Sequence, residues 1–136
     1  MERTKLDAYL HFQGTCEEAL AFYQGIFGGE IVAMNRYEGS PMMQHVPADW
    51  GTKVMHAAYK SADLEFMASD SYLSGRSGSG NVSLSLSVSD PGAGGVLFGK
   101  LAEGGRVTMP FQETFWSPGF GMLVDRYGIE WMVNCG

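Results

Sequence analysis

The sequence predicts an α+β fold built from two repeated βαβββ modules, and three observations predict it. First, the chain matches itself at an offset of 76 residues: with Gly28-Gly29 laid over Gly104-Gly105, Leu6, Ala8, Leu10 and Phe12 fall on Val82, Leu84, Leu86 and Val88, while Phe22 falls on Phe98 and Ile31 on Val107. Second, both leading segments alternate apolar residues with others, as a half-buried strand does. Third, each is followed by a helix that ends at a glycine pair, and then by apolar segments short enough to be strands.

In the first module Leu6 to Phe12 is the opening strand, with Leu6, Ala8, Leu10 and Phe12 on one face and Asp7, Tyr9 and His11 on the other. Thr15 and Glu18 read as a capping box, Ala19, Phe22, Tyr23 and Ile26 as the helix's apolar stripe, and Gly28 as its left-handed terminator. Glu30 to Tyr37, Val54 to Lys60 and Leu64 to Ser69 follow as strands. The stretch from Glu38 to Lys53 is long for a connection and is expected to act as a lid, with Trp50 able to close over a ligand.

The second module starts at Val82 to Val88, where Ser83, Ser85 and Ser87 alternate with apolar residues. Asp90-Pro91 opens a helix, but Gly92, Gly94, Gly95 and Gly99 each cost about 0.8–1 kcal/mol relative to alanine, so a short or frayed helix is expected. Arg106 to Met109, part of Thr114 to Val124, and Glu130 to Asn134 supply its strands. Residues 74–80, rich in Ser and Gly, read as a flexible linker, which gives modules of 1–73 and 81–136 within one domain.

Composition narrows the function. In 136 residues, 45% hydrophobic content is enough for a core without covalent staples. A net charge of −6 with no basic run argues against nucleic acid as a partner. No apolar stretch approaches the roughly 20 residues that cross a bilayer. Cys16 and Cys135 form no metal-binding or redox spacing and nothing at the N-terminus reads as a signal peptide, so reduced thiols and a cytoplasmic location are expected.

Taken together, Tyr9-Leu10-x-Phe12-x-Gly14, Glu18-Ala19-x-x-Phe22-Tyr23, Phe27-Gly28-Gly29-Glu30, Met55-His56-Ala57, Met67-x-x-Asp70, Gly104-Gly105-x-Val107-x-Met109-Pro110, Phe115-Trp116, Phe120-Gly121, Asp125-x-x-Gly128-Ile129-x-Trp131-Met132 and Asn134 span nearly the whole chain. This combination resembles the PhnB-like branch of the vicinal oxygen chelate superfamily, which includes glyoxalases, bleomycin-resistance proteins and extradiol dioxygenases. The resemblance implies a glyoxalase-like fold, with curved mixed sheets around a cavity, and a homodimer. Members of the branch are commonly labelled ubiquinone-pathway methyltransferases. The usual nucleotide-type cofactor site needs a glycine-rich turn that opens a helix, whereas both glycine pairs here close one, so methyl transfer is not expected.

The superfamily also implies a divalent metal held by the first and last strand of each module. Carried onto this chain, those positions are Asp7, Ser83, one among Glu65 to Ser69, and Glu130 or Met132. They contain no histidine, and a divalent metal would need substituted ligands. Two readings follow. A metal-free protein would bind a small amphipathic molecule in the cavity between its modules, using Asp7, Tyr9, His11, Trp50, His56, Ser83, Ser85, Trp116, Phe120 and Glu130. The alternative is a metal-dependent lyase, isomerase or dioxygenase. The first is preferred, and His56 is the leading polar candidate, ahead of His11 and of His45, which reads as solvated.

Overall fold

The computed structural model describes residues 4–72 and 82–136. The expected linker at 74–80 lies outside the described residues, as does residue 81, the expected start of the second module. The chain divides into two compact units, Met1–Gly75 and Arg76–Gly136.

In unit one, strand β1 (Ala8–Phe12) leads into helix α1 (Cys16–Phe27), followed by β2 (Glu30–Arg36), β3 (Val54–Lys60) and β4 (Glu65–Asp70). The sheet order is β1-β4-β3-β2, with β1 parallel to β4 and the other neighbours antiparallel. Alternation decides which side chains meet the helix. Leu10 and Phe12 of β1, Ala57 and Tyr59 of β3, and Phe66 and Ala68 of β4 are buried, as are Ala19, Leu20 and Tyr23 of α1. Tyr59 stacks on Phe66 with ring centroids 4.9 Å apart, and Tyr23 meets the same ring edge-on at 6.0 Å. Full burial of each large side chain stabilises the fold by about 1.5–3 kcal/mol.

Unit two repeats the arrangement: β5 (Leu84–Val88), α2 (Pro91–Ala102), β6 (Arg106–Gln112), β7 (Phe120–Val124) and β8 (Glu130–Cys135), in sheet order β5-β8-β7-β6. Again the first and last strands are parallel. Both ends of β1 and β5, and both ends of β2 and β6, are 76 residues apart. After β2 the offset falls, because the connection to β7 is much shorter than the one to β3. The second glycine of each pair has the same task. A Cβ on Gly29 would fall on the carbonyl oxygen of Lys60, the last residue of β3, and one on Gly105 would fall on that of Val124, the last residue of β7.

Three expectations are corrected. Leu6 and Val82 are 96% and 78% exposed and precede their strands. Pairing starts at Ala8↔Phe66 and Leu84↔Trp131, and β4 and β8 begin at Glu65 and Glu130, so earlier residues have no parallel neighbour to bond. The capping box is absent: the Thr15 side chain makes no capping bond, and its backbone, at φ −114° and ψ 15°, is not in the extended conformation such a cap requires. Asp70 caps α1 instead. The parallel register sets Phe12 beside Asp70, which places the carboxylate at the β1–α1 turn, where Oδ1 accepts from the N–H groups of Gly14 at 2.8 Å and Cys16 at 2.9 Å.

Helix α2, expected to be short, has the same 12 residues as α1. The Asp90 carboxylate accepts from the Ala93 N–H at 2.9 Å, Pro91 occupies the first turn, and packing accounts for part of the glycine content. A Cβ at Gly94 would lie 2.6 Å from Cys135 Sγ and 3.2 Å from Phe111, whereas one at Gly99 would meet nothing within 4 Å. Gly99→Ala is therefore expected to raise stability by about 0.5–1 kcal/mol and Gly94→Ala to lower it. Urea unfolding of both variants checks this, and equal effects of the same sign would defeat it. Leu84 and Leu86 share the core side with buried Trp131 and Val133 as expected, but remain half-buried.

Cys16 and Cys135 are free and buried. Burial, with Asp70 and then Glu17 nearby, pushes the Cys16 thiol up to about 12, so it stays protonated and inert at neutral pH. Among the described residues, no helix is long and apolar enough to cross a membrane.

Candidate functional site

The face of each sheet opposite its helix carries Tyr9, His11 and His56 in unit one and Ser85, Phe120 and Glu130 in unit two, and in unit one it gathers a polar cluster. Tyr9 and His11 are exposed on either side of buried Leu10, because successive side chains of β1 point to opposite faces. Tyr9 Oη lies 3.1 Å from His56 Nδ1 on β3, and its ring stacks on His11 with centroids 4.9 Å apart. When the phenol donates to Nδ1, His56 keeps its proton on Nε2, a donor free of the Tyr9 bond. His11 Nδ1 lies 2.9 Å from Ser71 Oγ, and Ser71 lies 3.3 Å from Ser69 Oγ. Half-buried Met67, in register with both Tyr9 and Ala58, adds an apolar, polarisable surface.

Ser71 was missing from the sequence-based candidates, and Ser69 entered them only as one end of the range Glu65 to Ser69. Strand alternation from Met67 could have singled out Ser69. Nothing local marks Ser71, which follows β4 and reaches His11 only because β1 and β4 run parallel.

Asp7 and Trp50 are engaged elsewhere. Lys5 Nζ lies 3.4 Å from the Asp7 carboxylate and 3.1 Å from that of Glu65. The hydrogen bond from Lys5 holds the Glu65 carboxyl below its usual range. Trp50 ends the second of two short 3-10 turns, Pro41–His45 and Ala48–Trp50, and packs between Tyr37 at 6.0 Å and Tyr72 at 5.4 Å. The connection is tied at its base by bonds from the Tyr37 N–H to the Lys53 carbonyl and from the Glu38 N–H to that of Gly51.

In unit two, Ser85 pairs with Met132, Met132 with Met122, Phe120 with Asn134, and Val124 with Glu130, which sets these residues on the helix-free face. Half-buried Ser83 precedes β5. Trp116 meets Phe120 edge-on at 5.4 Å and Phe115 at 4.8 Å, and both loop aromatics are exposed. The face mixes hydroxyls, thioethers and aromatic rings.

The residues do not fit a divalent metal. Asp7 and Glu65 share one lysine, and Met67 and Met132 occupy inner positions of the last strands. Among the described residues, no three His, Cys, Asp or Glu side chains come together as a ligand group.

A family model described as 3-demethylubiquinone-9 3-methyltransferase matches residues 4–134. The chain belongs to this PhnB-like family. Protein YjdN of Escherichia coli K12 is 33% identical, over 95% of this chain and 93% of its own length. Among solved structures, protein PA1353 of Pseudomonas aeruginosa is 42% identical with a TM-score of 0.81, covering 96% of this chain and 98% of that one. The PhnB protein of Bacillus cereus is 30% identical with a TM-score of 0.83, covering 98% and 100%. At the level of fold alone, a glyoxylase/bleomycin resistance protein/dioxygenase domain from Frankia matches with a TM-score of 0.68 at 17% identity, over 100% of this chain and 99% of that one. This PhnB-like chain thus shares the fold of that glyoxylase/bleomycin resistance protein/dioxygenase domain.

Proposed function

We propose that this PhnB-like protein binds a small amphipathic molecule on the helix-free faces of its sheets. The observation that carries the reading is the Tyr9–His56 pair with His11 stacked on Tyr9, which sets hydrogen-bonding groups beside Met67 on a surface the core does not use. The serines, methionines and Phe120 of unit two's corresponding face offer the same mixture. Small-molecule sites combine an apolar lining with a few placed polar groups in this way.

The family's description names methyl transfer, but the geometry supports binding better. The start of α1, where a nucleotide-type cofactor would meet free N–H groups, is filled by Asp70, and that of α2 by Asp90.

The test is a fluorescence titration of the whole chain with anilinonaphthalene sulfonate, an amphipathic aromatic probe. Saturable binding is expected, weakened about tenfold, or 1.4 kcal/mol, in His56→Ala and in Tyr9→Phe. Because the Tyr9–His56 bond is exposed, thermal melts of the two variants should show a loss below about 1 kcal/mol. Non-saturable binding, or unchanged affinity in both variants, would sink the reading.

A further inference from the structure

Unit one also contains a cleft of about 350 Å³, lined by Gly14 and Glu17 at the start of α1, Arg36 and Glu38 at the end of β2, Lys53 before β3, and Asp70. This volume is within the range in which small molecules bind, roughly 300–1,000 Å³. The residues differ from those on the helix-free face, so the cleft is independent of the reading above.

Its charges can be accounted for one by one. Asp70 is committed to the backbone: besides capping α1, its Oδ2 accepts from the Val54 N–H at 2.9 Å. Arg36 forks onto both carboxylate oxygens of Glu17 at 3.0 Å and donates to the Thr52 carbonyl at 2.7 Å. The Asp70 carboxylate is thus fixed by the backbone, while the Glu17 carboxylate and the Arg36 guanidinium answer each other in a partly exposed pair.

Two charges of opposite sign remain. The Lys53 ammonium, on a half-buried residue, donates to the Gly14 carbonyl at 3.0 Å, a neutral acceptor, and among the described residues has no carboxylate partner. The Glu38 carboxylate, on an exposed residue, lies against Gly51 and feels the charge of Arg36, but among the described residues it has neither a hydrogen bond nor an ion pair. A ligand of this cleft that answers both carries a negative and a positive group.

We propose that this cleft is a binding site for a small zwitterion of the free amino acid class, whose carboxylate meets Lys53 and whose ammonium meets Glu38. Charge-assisted hydrogen bonds at both ends give selectivity, because a ligand with one charge leaves the other side chain unanswered.

The experiment titrates the full chain with each proteinogenic amino acid in turn and follows amide shifts in ¹H–¹⁵N spectra. At least one amino acid should give saturable shifts centred on Gly14, Thr52 and Lys53, with Tyr9 and His56 undisturbed. Propionate and ethylammonium, which each carry half of the charge pattern, should bind about tenfold more weakly or worse. Lys53→Met and Glu38→Gln should each weaken binding about tenfold, whereas Lys60→Met should not. The screen and the half-ligand comparison use the unaltered chain, so they stand even if a variant misfolds. The absence of saturable shifts from every amino acid, shifts that map elsewhere, or equal binding of the half-ligands would overturn the proposal.

Discussion

Asp70→Ala is expected to cost on the order of 3–6 kcal/mol, a large part of the roughly 5–15 kcal/mol that holds a typical domain folded. Asp70 is 1% exposed, and its two oxygens accept from the backbone N–H groups of Gly14, Cys16 and Val54. Alanine would leave three donors without their acceptor where α1, β3 and β4 meet. Asparagine keeps one acceptor oxygen but would turn an amide donor toward an N–H, so only part of the loss should return. Urea unfolding followed by circular dichroism measures both variants. A loss below about 1 kcal/mol for alanine would mean that water replaces the carboxylate, and that the tertiary cap is not what orders the start of α1.

Trp131→Ala should be comparably severe in unit two, at about 3–5 kcal/mol. Trp131 is 2% exposed, sits in register with Leu84 and Leu123, and donates from Nε1 to Asp125 Oδ2 at 2.8 Å. The other oxygen of Asp125 accepts from the N–H groups of Tyr127 and Ile129, so the carboxylate organises the β7–β8 turn. Truncation would both open a cavity and remove the donor that holds this buried acid in place. Trp131→Phe separates the two effects, because it keeps most of the volume and loses the bond. A phenylalanine variant as unstable as the alanine one would mean that the hydrogen bond, and not the ring's volume, dominates.

The two buried aspartates show how far the sequence could be read. An aspartate before a turn is a common local pattern for a turn or capping residue, and both Asp70 and Asp125 stand in that position. For Asp125 that reading is local, because its backbone partners lie two and four residues away. For Asp70 it is not, because Gly14 and Cys16 are more than fifty residues distant in the chain. The candidate site divides in the same way. The placing of Tyr9 and His11 opposite Leu10 and Phe12 followed from alternation, but the contact between Tyr9 and His56 requires two strands that are not adjacent in the sheet.

The amino-acid sequence by itself determined the repeat, the order of strands and helices in each module, and the faces on which the residues of β1 and β5 lie. These depend on steric periods of two and 3.6 residues and on glycine's tolerance of positive φ, all of which act within a few residues of chain. Only the tertiary structure decided that Asp70, and not Thr15, caps α1, that Gly94 makes room for Cys135 and Phe111, and that Arg36 forks onto Glu17 while Lys53 donates to a neutral carbonyl. The physical reason is that hydrogen bonds, close packing and charge pairing depend on distance in space, and that distance is settled only once parallel strand pairing has brought remote segments together.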